Sequence, residues 1–168
     1  MVNYFELYEI PVQLSVDPAL IRKKFHALSR QYHPDRFGDA ADNEQADILE
    51  KSAQVNRGYK IFSQGDETIK YALQLKGFLE EEEKYQLSPD FLMEMLELNE
   101  EVVDAAGDPE KMEGLKTRIN ELETQLYEEV KQVVENYQED ITTEKELLRV
   151  KEYYYRKKYL HRILAGIQ

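Results

Sequence analysis

The chain has 168 residues, of which 33% are charged and 42% hydrophobic, with only 7 glycines and 5 prolines. That balance suits a folded, mostly helical protein of one or two small domains and argues against disorder. The absence of cysteine excludes disulfides, thiolate metal sites and cysteine nucleophiles, and no apolar run approaches the length that spans a bilayer. Residues 1–10 lack a basic start followed by an apolar core, so nothing marks export and a cytoplasmic location is the default expectation. The net charge of −12 is uneven: residues 1–78 hold 11 acids and 10 bases, residues 79–168 hold 23 acids and 12 bases. The second half therefore repels polyanions, and neither nucleic acid nor an anionic membrane is an expected partner.

In chain order, Asn3 with Glu6 fits a capping box, and Pro11 is expected to end a short first helix. Asp17-Pro18 places an N-cap oxygen before proline at the first helical position, opening a second helix predicted to run to His33. Ile21, Phe25, Leu28 and Tyr32 repeat in it at 4-3-4 spacing, an inward stripe. Arg22, His26, Arg30 and His33 form a parallel stripe, and with Lys23 and Lys24 they make a basic surface on a helix that holds no acid. His33-Pro34-Asp35 follows. Proline disfavours helical geometry at the residue before it, so the helix stops with the imidazole at its C-terminal end and Asp35 exposed beside the bases. After the polar stretch Arg36–Asn43, a return helix is predicted from about Asn43 to Ser63, with Ile48, Ser52, Val55, Tyr59 and Phe62 on one face. The two helices packed antiparallel, with residues 3–10 laid across them, give a small core. A fourth helix is expected near Thr68–Leu75.

The run Glu80-Glu81-Glu82-Glu83 reads as too charged to pack, which sets an acidic linker at 79–88 between a domain at 1–78 and one at 89–168. Ser88-Pro89, Asp108-Pro109 and the Thr143/Glu146 capping box begin three more helices, at about 89–105, 109–138 and 143–166. In the middle one Met112, Leu115, Ile119, Leu122, Leu126, Val130, Val133 and Tyr137 recur at near-heptad spacing. Short connections make sequential neighbours antiparallel, so a three-helix bundle is expected. In the helix from Pro89, Phe91, Met95, Leu98 and Val102 form the core stripe. Leu92, Met93 and Leu96 lie on a neighbouring face with Glu97 and Glu100, more apolar surface than one stripe needs. That extra face is either packed on the last helix or an exposed patch rimmed by acids.

An exposed carboxylate beside a basic strip can pair with an arginine on a partner through a charge-assisted bond, while the bases steer an acidic surface into register. The bland alternative is a histidine capping a helix and an aspartate starting a turn. A basic amphipathic helix, a loop opening with His-Pro-Asp and an antiparallel return helix resemble a J-domain, and the whole chain is similar to the HscB family of co-chaperones. The resemblance rests on Asn3-Tyr4-Phe5-Glu6-Leu7-Tyr8 with Pro11, on Gln31-Tyr32-His33-Pro34-Asp35-Arg36-Phe37, on Ser52-Ala53 and Val55-Asn56, and on Tyr71 with Leu73 through Phe78. Its most specific part is Phe91-Leu92-Met93-Glu94-Met95-Leu96-Glu97-Leu98, which is similar to the opening motif of that family's second domain. The chain departs from the family at Gly65-Asp66-Glu67-Thr68-Ile69-Lys70, and Met1 leads straight into the J-domain pattern without the cysteine zinc module of longer members.

The resemblance implies an all-α protein with an N-terminal J-domain and a C-terminal three-helix domain. It implies contact with a DnaK/HscA-class ATPase chaperone through His33, Pro34 and Asp35, joined by Arg22, Lys23, Lys24, His26 and Arg30. It also implies that an IscU-type iron–sulfur scaffold protein is held through Leu92, Met93, Leu96, Glu97 and Glu100, with Tyr153-Tyr154-Tyr155 as candidates to extend that patch. No catalytic residue, metal or cofactor is expected: of the three histidines, His26 and His33 with Asp35 fit no standard ligand spacing. Competing readings are a J-domain co-chaperone for an unrelated client, which residues 91–98 discriminate, and a helical scaffold protein without chaperone role, which residues 33–35 discriminate.

Overall fold

Seven α-helices and no strand are found among residues 2–167, the part of the chain that the computed structural model describes. The all-α expectation holds. Four helices belong to a first unit that runs to Leu75: α1 (Tyr4–Leu7), α2 (Pro18–Gln31), α3 (Asp42–Phe62) and α4 (Gly65–Leu75). Three belong to a second unit that begins at Lys76: α5 (Pro89–Asp104), α6 (Pro109–Glu135) and α7 (Glu144–Ile167).

In the first unit, Asn3 caps α1 by accepting from the Phe5 and Glu6 N–H groups. The helix ends at Leu7, before the expected stop at Pro11. Glu9 takes a left-handed φ of 54°, and the Ile10 N–H reaches back to the Phe5 carbonyl, a closure of the Schellman type that needs no proline. α2 and α3 pack as the hairpin. Ile21 and Val55 are buried, and Phe25 stacks on Tyr59 at 4.2 Å between ring centroids. Phe5 and Tyr8 of the α1 segment both meet Phe62, and the buried Tyr8 hydroxyl donates to the Val55 carbonyl at 2.6 Å. Burial pushes the Tyr8 phenol far above its ordinary range, so it stays a neutral donor.

Close approach of α1 to α3 depends on Gly58. A Cβ there would lie 2.7 Å from Tyr8 Cε1 and 3.2 Å from Tyr4 Cδ1. Both are rigid ring atoms, so the backbone must shift. Gly58→Ala is therefore expected to destabilise the chain by about 1–3 kcal/mol, despite alanine's better helix propensity, seen as a lowered urea midpoint in circular dichroism. α4 starts at Gly65, earlier than expected, because Asp66 and Glu67 in its first turn complement the positive helix end. The buried Thr68 hydroxyl donates to the Ile61 and Gln64 carbonyls, closing the α3–α4 corner.

The second unit is the expected three-helix bundle. Proline stands at the first position of α5 and α6 after capping Ser88 and Asp108. Before α7, Thr143 and Glu146 exchange side-chain-to-backbone bonds in both directions, at 3.1 and 3.2 Å. Phe91, Met95 and Leu98 of α5 meet Leu115 and Ile119 of α6 and Leu160 and Ile163 of α7 in one core.

The segment read as an acidic linker is packed instead. Leu79 is buried, the Glu83 carboxylate pairs with Lys151 Nζ of α7 at 2.7 Å, and the Tyr85 ring lies flat against Tyr155 at 4.5 Å. Lys151 Nζ also sits 5.5 Å from the centre of the Tyr85 ring. A charge run packs when one of its members finds a partner on another helix, and Glu83 does. Its hydrogen bond to Lys151 holds the carboxyl below the usual 4.5. The stability it contributes is present above that value and is lost as pH falls through the depressed native value. Glu83→Gln is expected to cost about 1 kcal/mol at neutral pH. Denaturation curves of the variant and the parent should then converge in acid, where Glu83 is protonated in both states.

Candidate interaction surfaces

α2 is capped by Asp17, which accepts from the Ala19 N–H at 3.0 Å, and its buried Ile21 turns the opposite side outward. Arg22, Lys23, His26 and Arg30 are exposed there. Lys24 is not wholly free: it is half-buried, and its Nζ donates to the Glu9 carbonyl at 3.2 Å, tying the loop after α1 to α2.

The helix ends at Gln31. His33 adopts an extended conformation (φ −71°, ψ 127°), as a residue before proline should, and caps a 3-10 turn over Pro34–Phe37. Its Nδ1 accepts from the Asp35 N–H at 3.2 Å and its carbonyl accepts from the Arg36 N–H at 3.1 Å. In a neutral ring the proton is thereby assigned to Nε2. Arg36 reaches back and donates from Nη1 to the Arg30 carbonyl at 3.1 Å, locking the turn onto the end of α2. Gln45 Nε2 secures the far side of the loop by donating to the carbonyls of Gly38 and Ala40. These bonds hold Asp35 in place without occupying it. Its side chain is 93% exposed, and its Oδ2 stands 3.7 Å from His33 Nδ1.

His26, Ser29, Arg30, His33 and Arg36 line one open groove of about 420 Å³. Three residues singled out from the sequence thus share a groove, while Arg22 and Lys23 lie elsewhere on the helix surface. Arg36 was missed by sequence reasoning. Its place directly after the tripeptide, with one turn's reach to Arg30, was the available signal.

On α5 the Ser88 hydroxyl accepts from the Phe91 N–H at 3.3 Å and fixes the first turn. The helix then splits as its spacing dictates. Phe91, Met95 and Leu98 enter the core, and Arg156 of α7 covers the Phe91 ring at 5.1 Å. Leu92, Met93 and Leu96 are 41%, 60% and 54% exposed, with Glu97 and Glu100 exposed beside them. Of the two readings of this extra face, packing on the last helix is therefore excluded. The tyrosine candidates divide: Tyr153 and Tyr154 are buried and belong to the interior, while Tyr155 is half-buried against Tyr85. Burial suits them because a tyrosine ring can fill a core while its hydroxyl reaches the edge.

Among the described residues no group of three or more His, Cys, Asp or Glu side chains is placed to hold a metal ion. No helix among them is long and apolar enough to cross a membrane.

The architecture matches solved proteins along almost the whole chain. The structure described as chaperone HscB from Vibrio cholerae superposes with a TM-score of 0.76 and 26% identity, covering 99% of this chain and 95% of that one. A curated sequence from Vibrio cholerae serotype O1 (strain M66-2), named co-chaperone protein HscB homolog, is 36% identical over 112 residues. A family profile described as the HSCB C-terminal oligomerisation domain matches residues 87–168. In sequence and in fold the chain is similar to the HscB co-chaperones. The human co-chaperone HscB structure, with a TM-score of 0.82, 23% identity and coverage of 99% of this chain and 81% of that one, shares the fold. The alignment with the V. cholerae sequence takes in 65% of this chain and 66% of the relative, just under two thirds of its length. The profile match to the HscB C-terminal domain takes in α5, α6 and α7, so the exposed α5 face lies inside the matched region.

Proposed function

We propose that the chain is a cytoplasmic co-chaperone that stimulates the ATPase of a DnaK/HscA-class chaperone and delivers to it an IscU-type iron–sulfur scaffold protein. The reading is carried by Asp35, a fully presented carboxylate on a turn locked to the end of a helix whose outer surface is basic. Arg22, Lys23, His26 and Arg30, with the partly engaged Lys24, attract and orient an acidic chaperone surface, which raises the association rate more than the affinity. Asp35 then pairs with a cationic group of the chaperone, and His33 and Pro34 hold it at the required angle. The scaffold protein is held on Leu92, Met93 and Leu96, with Glu97 and Glu100 as the polar rim that excludes other surfaces. Holding both partners on one chain converts their encounter into an intramolecular event at an effective concentration on the order of millimolar. No step of this requires the chain to do chemistry of its own.

Single-turnover ATP hydrolysis by the purified DnaK-class chaperone of the same host tests the reading. The chain alone should accelerate hydrolysis, and chain plus scaffold should accelerate it further. Failure of the chain to change the rate overturns the first half of the proposal. Indifference to the scaffold overturns the second.

A further inference from the structure

Val103 is the most exposed of the large hydrophobic residues on α5, at 73%, and nothing in the bundle core uses it. It does not stand alone. At about 100° per residue, Leu92, Leu96 and Val103 fall within a strip about 40° wide, and at about 1.5 Å per residue the strip runs roughly 16 Å along the helix. Asn99 lies in the same row and is half-buried. On the flank away from the core stand Glu97, Glu100 and Asp104, all exposed, and α5 carries six acids and no base. Resting on the reading above, we infer that Val103 is a further anchor for the scaffold protein, extending the client surface two turns beyond Leu96. The occupant it selects carries a continuous aliphatic strip of that length with lysines or arginines along one long edge.

Three observations favour this occupant. A lone exposed aliphatic residue needs no explanation, but one that continues a row of two others makes a patch. Valine in a helix is held almost wholly in one rotamer, so a contact with Val103 loses little side-chain entropy. The one-sided acidic flank favours a partner with bases along one edge and disfavours an acidic surface, including a second copy of α5 laid antiparallel on the first.

Titration of the purified scaffold protein of the same host into four forms of the full chain tests the inference: the parent, Leu96→Ala, Val103→Asp and Val103→Thr. Val103→Asp should weaken binding by roughly tenfold or more, and the nearly isosteric Val103→Thr by about three- to tenfold. Neither should change the thermal melt of so exposed a position. If Val103→Asp lowers the melt, Val103→Thr decides alone. Loss of affinity in Leu96→Ala with parental affinity in Val103→Thr overturns the inference and leaves the proposed client surface standing. Parental affinity in all three variants, or no binding by the parent, overturns both.

Discussion

Asp35→Asn is expected to remove most of the chain's stimulation of the partner ATPase, with circular dichroism and melting unchanged. The substitution keeps shape and removes only the charge. Inside the molecule that charge does little, since the side chain is 93% exposed and faces only His33 Nδ1 at 3.7 Å, while the turn is held by backbone groups, His33 and Arg36. Outside it, a hydrogen bond to a charged group contributes about 1.5–3 kcal/mol, so its loss corresponds to roughly 10- to 150-fold in the stimulated complex. His33→Gln should behave similarly for a different reason. The carboxylate remains, but the Nδ1 acceptor that fixes the Asp35 N–H is lost, and the turn no longer presents it at one angle. Undiminished single-turnover stimulation by both variants would mean that the turn is only a helix terminator. Reversing Arg22 and Lys23 should by contrast slow association and flatten its salt dependence while leaving the maximal stimulation intact.

The second large effect is expected from Leu92→Ala, Met93→Ala and Leu96→Ala combined. Each truncates a side chain that is 41–60% exposed, so the bundle should melt as before, and alanine is if anything a better helix former. Each anchor contributes about 1–3 kcal/mol to a hot spot of this kind, and three together should weaken scaffold binding by roughly 100-fold or more, with non-additivity setting the final figure. Stimulation by the chain alone should persist, because His33, Pro34 and Asp35 are untouched. The increment produced by the scaffold should vanish. A triple variant that binds the scaffold normally in calorimetry sinks this assignment.

The inside and outside of α5 were legible in advance because one helix period separates them. Phe91, Met95 and Leu98 recur at 4-3 spacing, and Leu92, Met93 and Leu96 cannot share that face. Helix starts were legible for a similar local reason: Asp17, Ser88, Asp108 and Thr143 each sit within four residues of the N–H they cap. What escaped was non-local or conformational. Nothing in the composition around Glu9 signals a left-handed residue, since glycine, its usual sign, is absent there. Glu83 looked solvated because its partner is Lys151, far along the chain, and no local pattern encodes that pairing. Val103 escaped because the family-like motif ends at Leu98, and a single valine outside a motif draws no notice until its exposure is seen. Tyr153 and Tyr154 drew notice for the opposite reason, as aromatic residues whose burial only the packing of α7 decides.

Anyone wishing to express the second half of the chain alone would naturally cut at Ser88, where the helices begin. That cut would strip Lys151 of its carboxylate and Tyr155 of the ring stacked on it, undoing an ion pair whose side chains are only 14% and 19% exposed in the intact chain. It would also discard Lys76, whose Nζ grips Glu139 at 2.7 Å beside the α6–α7 turn. A fragment opening at Lys76 keeps all three fastenings. The stretch before α5 is a belt buckled onto the long helices, and the useful scissors mark lies a dozen residues upstream of where the helical punctuation puts it.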